Sequence, residues 1–200
     1  MPVSDEQLMI ESSRDSIPAF ELLIRRWEQR MLVFLYRCVG NRVEAEDLRQ
    51  ELFLRVYQKR SSFRLEGHFE AWLYRIATNL VIDKYARKAK LRTHSLEEME
   101  LGQEHTKSDS PLESRKLDVR NQAALGEFEE RIWAALQRIP DNERIVLILR
   151  HFENLNFKEI AEWLNEPEST VKSRVYRGLE SMKQELKQAG IFEADCILSA

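Results

Sequence analysis

The apolar residues of this chain recur every three or four positions, and this spacing limits the fold more than any other feature. Between residues 17 and 36 they fall on one stripe of a helix: Phe20, Leu23, Ile24, Trp27, Met31, Phe34 and Leu35. Only 6 Gly and 5 Pro occur among 200 residues, which is too few turn residues for a β-sandwich or a barrel. The pattern therefore predicts an all-α protein.

The first 90 residues contain three stretches with this helical pattern. Pro18 suits the first turn of the first helix, and Gly40 and Asn41 end it because both tolerate left-handed backbone. The other two helices are predicted over residues 43–58 and 69–88. Their inward faces carry Leu48, Leu52, Val56, Leu73, Ile76, Ala77 and Leu80. We predict that these helices form one compact bundle.

The composition changes between residues 91 and 125, where acidic and polar residues replace the large apolar ones. Such a stretch cannot bury a core of its own and is typical of a linker that is flexible when free. Helical spacing resumes at about Phe128 and continues to Leu186. The sequence therefore predicts two small helical domains, over residues 1–90 and 126–188, joined by a flexible linker over 91–125 and followed by a tail over 189–200.

Metal, disulfide and histidine-based sites have little support in the sequence. Cys38 and Cys196 lie far apart and outside any CxxC motif, and the four histidines are scattered. The N-terminus lacks the basic start and apolar stretch of a secretory signal, and no run of about 18 apolar residues occurs. We expect a cytoplasmic protein without metal, cofactor or membrane insertion.

The strongest local signal is a helix-turn-helix over residues 157–187. Asn156 is a suitable N-cap for its first helix, and the small Ala161 allows the two helices to cross closely. Asn165 stands four positions later, where the turn needs a residue that tolerates left-handed backbone. Val171 supplies a branched apolar anchor early in the second helix. All of these requirements are met at the right spacing.

The outward face of the second helix is polar and basic, although the whole chain has a net charge of −3. Arginine can bind guanine O6 and N7 bidentately, and Ser, Thr and Lys can hold phosphates. A solvated amphipathic helix is the alternative, and the turn favours contact with duplex DNA over it. Glu166 and Glu168, at the entrance to this helix, would repel phosphate. The predicted duplex-binding residues are Ser169, Thr170, Lys172, Ser173, Arg174 and Arg177.

Aromatic and basic residues are interleaved between Arg60 and Lys88. Single-stranded DNA is bound by such residues, because rings stack on bases, amides contact base edges and cations contact phosphates. The alternative is that Phe63, Phe69 and Trp72 are ordinary core residues. The predicted single-strand site comprises Phe63, His68, Phe69, Arg75, Asn79, Asp83, Lys84, Arg87 and Lys88.

Residues 45–57 form a third segment, whose outward face mixes carboxylates, an amide and arginine. By itself such a face is usually solvated surface, and a protein partner is the less common interpretation.

Taken together, the three segments resemble the sigma factors of bacterial RNA polymerase, in particular the short extracytoplasmic-function type of the sigma-70 family. The resemblance rests on AEDLRQELF at residues 45–53, AWLYRIATNLVID at 71–83, EIAEWL at 159–164 and STVKSRVYRGL at 169–179. The order and separation of these motifs match the family over most of the chain.

The resemblance implies a promoter-specificity subunit and not an enzyme, because the polymerase carries out the chemistry. The first domain would then dock on the polymerase clamp, melt the −10 promoter element and capture a flipped base. The helix-turn-helix would read the −35 element as duplex, while its other surface meets the polymerase flap. Core RNA polymerase, promoter DNA and an anti-sigma factor are the implied partners. The implied polymerase-binding residues are Asp47, Gln50, Glu51, Phe53 and Arg55.

Two other functions are compatible with the residues alone. A polymerase-independent transcriptional regulator would bind duplex DNA tightly through the helix-turn-helix, as a dimer. A sequestering adaptor would bind proteins through the first domain, and its function would survive the loss of Arg174 and Arg177. Promoter opening that depends on core polymerase separates the sigma factor from both.

Overall fold

Helices are the regular elements of the part of the chain that the computed structural model describes, which is residues 3–64, 68–96 and 131–189. The all-α prediction is confirmed. The elements are α1 (Asp5–Ser13), α2 (Ile17–Val39), α3 (Arg42–Gln58), a 3-10 turn (Arg60–Ser62), α4 (Phe69–Leu96), α5 (helical over 131–138), α6 (Asp141–His151), α7 (Phe157–Leu164) and α8 (Glu168–Gln188).

Short-range capping explains where the helices of the first domain begin and end. The Ser4 side chain accepts a hydrogen bond from the Gln7 N–H, and the Gln7 side chain accepts one from the Ser4 N–H, so a capping box begins α1. Gly40 ends α2 in the left-handed conformation, with φ 70°, as predicted. The Asn41 side chain then accepts from the Glu44 N–H at the start of α3. A turn of two residues therefore joins α2 to α3.

The core of the first domain is built from the helix faces that the sequence predicts. Trp27, Met31 and Phe34 of α2 are all less than a tenth exposed. The predicted inward residues of α3 and α4 are buried against them. Burying one such large apolar side chain stabilises the fold by about 1.5–3 kcal/mol relative to leaving it exposed.

Two features of the first domain differ from the prediction. α4 is predicted to end near Lys88 but continues to Leu96, so the helix extends into the first residues of the predicted linker. α1 is not predicted, because its nine residues bury only Leu8, Met9 and Ser12 and have no long apolar stripe. The rest of the predicted linker, 97–125, and the tail over 190–200 lie outside the described residues.

Carboxylates of α1 hold this helix against the rest of the domain. Asp5 accepts a hydrogen bond from Trp27 Nε1 of α2 at 2.8 Å. Glu6 accepts one from the Phe69 backbone N–H at 3.2 Å. The first N–H groups of a helix have no partner within the helix, so Glu6 caps the start of α4 from a distant element.

α6 is the central helix of the second domain, and its residues 143–149 are all buried. Among them Arg144 is 2% exposed and donates to the carbonyl oxygens of Gln137 at 3.2 Å and Ile139 at 3.3 Å. It also forms an ion pair with Asp141. A buried charge is costly unless it is paired, so these contacts tie the end of α5 to α6.

The two domains are in contact, whereas the sequence predicts only a tether between them. Glu153, which follows α6, has a side chain only 6% exposed and lies against α2 and α4. Its carboxylate accepts a hydrogen bond from the Tyr74 hydroxyl at 2.6 Å and pairs with Arg30 at 3.1 Å and Arg37 at 3.5 Å. The Trp163 ring packs on Tyr74 with centroids 4.8 Å apart. We call these five residues the interdomain joint.

The described ranges contain neither a membrane-spanning helix nor a cluster of metal-binding side chains. None of the helices in them is long and apolar enough to cross a membrane. No three His, Cys, Asp or Glu side chains in those ranges come together to hold a metal ion. Burial raises the pKa of the Cys38 thiol to about 12, so this cysteine stays protonated at neutral pH and is a poor nucleophile.

Candidate nucleic-acid interfaces

The outward face of α3 carries most of the residues assigned to polymerase binding. Asp47 and Gln50 are exposed and Glu51 is half-buried. Phe53 is only 9% exposed and lies in the core, so it supports the helix and offers little surface to a partner. Leu54, which the prediction does not include, is 51% exposed and lies beside Gln50 and Glu51 on this face, because it follows them by four and three positions. Its position outside the inward stripe of α3 is the signal that identifies it.

Arg55 turns away from this face toward α4. Its Nε pairs with Glu51 Oε1 at 2.7 Å and its Nη1 with Asp83 Oδ2 at 3.4 Å. The hydrogen bond to Glu51, more than that to Asp83, raises the pKa of Arg55. The structure therefore groups Arg55 with the predicted single-strand residues of α4.

A polar cleft of about 160 Å³ lies between the end of α3, the 3-10 turn and α4. Three cations, an amide, a hydroxyl and an indole ring surround it, which is the mixture that single-stranded DNA requires. The prediction does not include Lys59 and Ser62, although Lys59 directly precedes the aromatic-rich segment and Ser62 lies within it. We call this site the basic cleft, and its lining residues are Arg55, Lys59, Ser62, Trp72, Arg75, Ile76 and Asn79.

The exposed polar residues of α4 form one stripe, because they are spaced four positions apart. His68, just before the helix, and Lys88 are exposed as well. Lys84 is half-buried and pairs with Glu44 of α3 at 3.0 Å. The stripe consists of Arg75, Asn79, Asp83 and Arg87.

Phe63 and Phe69, which are predicted to contact single-stranded DNA, lie in the core. They are 7% and 1% exposed, and their rings meet edge-on with centroids 6.0 Å apart. Phe63 makes a second edge-on contact with Trp72 at 5.4 Å. Such ring pairs stabilise a core beyond the area they bury. Phe63 and Phe69 are therefore core residues, as the alternative interpretation has it, and do not offer their rings to DNA.

The helix-turn-helix has the predicted geometry. The Asn156 side chain accepts from the Glu159 N–H, and the Glu159 side chain accepts from the Asn156 N–H, so a capping box begins α7. Asn165 ends α7 in the left-handed conformation, with φ 56° and ψ 47°. Val171 is fully buried under the start of α8.

The predicted duplex-binding face of α8 is accessible. Ser169, Lys172, Ser173 and Arg177 are exposed, and Thr170 is half-buried. Each cation of this face lies close to a carboxylate of the same domain. These pairs are Lys172 with Glu168 at 2.7 Å, Arg174 with Glu166 at 2.6 Å and Arg177 with Glu143 at 3.8 Å.

Two models of known protein families match the chain, one in each domain. The model of Sigma-70 region 2 matches residues 23–91, which include α3 and most of α2 and α4. The model of Sigma-70, region 4 matches residues 129–182, which include α7 and most of α8.

Solved structures share the fold. CnrH in complex with the cytosolic domain of CnrY aligns with a TM-score of 0.62 at 20% identity, covering 92% of this chain and 97% of that one. The sigma factor RpoE in complex with the anti-sigma factor NepR, from Bartonella quintana, has a TM-score of 0.62 at 19% identity, covering 86% and 98%.

Curated relatives match at higher identity. The ECF RNA polymerase sigma factor SigW of Bacillus subtilis (strain 168) is 33% identical over 169 residues, which is 84% of this chain and 89% of the relative. The RNA polymerase sigma-H factor of Pseudomonas aeruginosa is 30% identical over 184 residues, covering 92% and 94%. Since these matches extend over both domains, the chain belongs to the extracytoplasmic-function sigma factors, the sigma-70 family proteins that act with RNA polymerase in transcription initiation.

Proposed function

We propose that this sigma factor directs core RNA polymerase to promoters by reading the −35 element as duplex with α8 and opening the −10 element with its first domain. The observation that carries the proposal is the basic cleft, where cations, an amide and a ring face one small space. The polymerase carries out RNA synthesis, and this chain provides promoter specificity.

In the basic cleft, each residue type has a task in holding a displaced base. The Asn79 amide contacts the base edge, the Trp72 ring offers a face for stacking, and Lys59 and Arg75 attract the neighbouring phosphates. Extruding a base from the duplex costs a few kcal/mol, which these contacts offset. Phe63 and Phe69 support the cleft from the core, because Phe63 packs edge-on and Phe69 at a tilt against Trp72 and together they fix its ring.

On α8, the arginines read base edges in the major groove and the hydroxyls and lysine hold phosphates. The buried Val171 anchors this helix, so that its polar face points outward from the domain. The residues proposed for the −35 element are Ser169, Thr170, Lys172, Ser173, Arg174 and Arg177.

On α3, the exposed Asp47, Gln50 and Leu54, with Glu51, form the proposed docking face for the polymerase clamp. An exposed leucine inside a polar rim is typical of the centre of a protein interface. The flap contacts the second domain on a surface other than the DNA-reading face.

An anti-sigma factor is the other proposed partner. The two structural relatives described above are each bound to another protein, and one of those proteins is named as an anti-sigma factor. We infer that a protein of that class holds this chain away from the polymerase.

The deciding experiment is a promoter-opening assay with bacterial core polymerase, with and without the full chain, beside a duplex-binding assay of the chain alone. Opening that requires both proteins, with weak duplex binding by the chain alone, is the expected result. Tight duplex binding without any effect on the polymerase would instead establish the polymerase-independent regulator. Transcription that survives Arg174→Ala and Arg177→Ala would favour the adaptor.

The role of the basic cleft is tested with Asn79→Ala. We expect a roughly tenfold loss of opening on duplex promoters and a smaller loss on pre-melted ones, because the amide helps to pay the unstacking cost. Asn142→Ala, at an exposed asparagine of α6, is the matched control. Equal losses on both templates would contradict the assignment.

A further inference from the structure

We propose that Glu166 is a positioning residue that holds the Arg174 guanidinium in place for reading a base pair. This inference rests on the proposed duplex-reading role of α8 and adds to it a specificity determinant outside that helix. The sequence assigns to Glu166 only a repulsion of phosphate, whereas the structure gives it a specific partner.

The contact with Glu166 is closer and more enclosed than the other ion pairs of this face. Arg174 Nη1 lies 2.6 Å from Glu166 Oε2, and the two side chains are 20% and 28% exposed. Lys172 and its partner Glu168 are both more than 40% exposed. Arg177 is 61% exposed, and its Nε lies 3.8 Å from the Glu143 carboxylate. Exposed pairs fix side chains weakly, so Arg174 is the cation of this face whose position is set before DNA arrives.

The oxygen that faces Arg174 is itself shielded from water. Glu166 Oε2 has almost no accessible surface and accepts no hydrogen bond in the described residues, so the charge of Arg174, 2.6 Å away, is what compensates it, as an ion pair. A carboxylate oxygen in this position is costly without a cation, so the two groups keep each other in place. Arginine has five N–H donors, and a contact through Nη1 leaves others for the major groove.

The backbone of Glu166 is also fixed. The Asn165 N–H donates to the Glu162 carbonyl at 3.3 Å and the Glu166 N–H donates to the Ala161 carbonyl at 3.0 Å, which together form a Schellman motif. Pro167 follows, with its φ restrained by the ring at −60°. A carboxylate held by this turn is a rigid support, and ordering a guanidinium in advance lowers the cost of ordering it on binding.

Positioning and repulsion predict different effects on base-pair preference, which makes the proposal testable. If Glu166 only repelled phosphate, removing its charge would strengthen binding to every duplex alike. If it positions Arg174, its removal weakens the preference for one base pair while the affinity for random DNA stays the same or rises. Glu166→Asp separates the two further, because it keeps the charge and shortens the reach toward Arg174.

The test uses the full chain with core polymerase and a promoter library. The probe is a duplex with a randomised upstream stretch and a constant, pre-melted downstream region, so that strand opening does not limit the selection. Base frequencies are compared for the wild type, Glu166→Gln, Glu166→Asp and Arg174→Ala, with Glu168→Gln as the matched charge control. Affinity for a random-sequence duplex is measured across a range of salt concentrations.

We expect Arg174→Ala to remove a preference of about tenfold at one base pair, as one bidentate arginine contact supplies. Both Glu166 variants should weaken the preference at that same base pair, and Glu168→Gln should leave it intact. A Glu166→Asp protein with the wild-type preference, or a Glu166→Gln protein that only binds all DNA more tightly, would overturn the proposal. If Arg174→Ala changes no position, the duplex-reading role of Arg174 fails, and the positioning role fails with it.

Discussion

The two DNA-facing surfaces of this sigma factor are assembled in different ways. The helix-turn-helix is held by neighbours in sequence, such as the capping pair three residues apart at the start of α7. The basic cleft is held by contacts between distant segments: Arg55 with Asp83, 28 residues away, and Arg60 with Asp15, 45 residues away. The first surface therefore depends on local rules, and the second depends on the whole first domain.

This difference determines how far from each surface a substitution can still alter it. A change in α1 or in the aromatic core is expected to alter the basic cleft although it touches no cleft residue. A change in the first domain that does not touch Tyr74, the ring on which Trp163 of α7 packs, is expected to leave the turn intact. The three predictions that follow test this contrast.

The largest effect is expected for Trp72→Ala. Trp72 packs against Phe63 and Phe69 and lines the cleft, so its removal should lower the free energy of unfolding by about 3 kcal/mol. Hydrogen exchange should show lost protection over residues 69–80 and little change over 157–186, and Trp72→Phe should keep most of the protection. An equal loss in α7 and α8 would contradict independent assembly of the two surfaces.

A smaller loss of stability is expected for Asn165→Ala, and it should appear in the helix-turn-helix and not in the first domain. The left-handed backbone at this position disfavours alanine by about 1 kcal/mol, so α7 and α8 should lose protection and duplex affinity should fall. Asn165→Gly is the control, since glycine adopts this conformation freely. A glycine variant as weak as the alanine variant would mean that the asparagine side chain matters more than the backbone.

The smallest effect is expected for Glu6→Gln, and it depends on pH. Burial by itself would raise the pKa of Glu6, but hydrogen bonds from its own and the Phe69 backbone N–H groups lower it below 4.5. The stabilising contribution is therefore fully present above pH 4.5 and is lost as the pH falls through the folded-state pKa.

Glu6→Gln should accordingly cost less than about 1 kcal/mol at neutral pH, with the deficit vanishing in acid. Chemical unfolding of the wild type and the variant, at neutral pH and at a pH below the folded-state pKa of Glu6, measures the deficit. Glu11→Gln, at an exposed glutamate of the same helix, is the matched control. A deficit that is the same at both pH values would show that the charge of Glu6 is not involved.

The contrast between the surfaces also explains what the sequence could predict. Asn156, Asn165 and Val171 were identified correctly because capping, left-handed turns and apolar anchors obey spacing rules within a few residues. The sequence predicts DNA contact for Phe63 and Phe69, which are core residues, because periodicity does not distinguish a ring that faces solvent from one that faces other rings. That distinction depends on tertiary packing.

Other parts of the site also depend on tertiary packing, so the sequence does not predict them. The repulsive charge of Glu166 is visible in the sequence, but its pairing with Arg174 depends on how the turn aims the two side chains. Arg55 lies on the predicted helix and pairs with Glu51 of that helix, but its second contact, with Asp83 of α4, depends on how the two helices pack. Lys59 and Ser62 belong to no sequence motif, and their role becomes visible only because both line the basic cleft.

The interdomain joint has a thermodynamic consequence for any partner that needs the two domains apart. The apparent affinity of such a partner is its intrinsic affinity multiplied by the fraction of molecules that are already open. If about one molecule in a hundred is open, that partner binds about a hundredfold more weakly than it would bind the separated domains. Since a single carboxylate, Glu153, meets both arginines and the tyrosine of the joint, removing it would raise the open fraction for every such partner at once, although the Trp163–Tyr74 contact would remain.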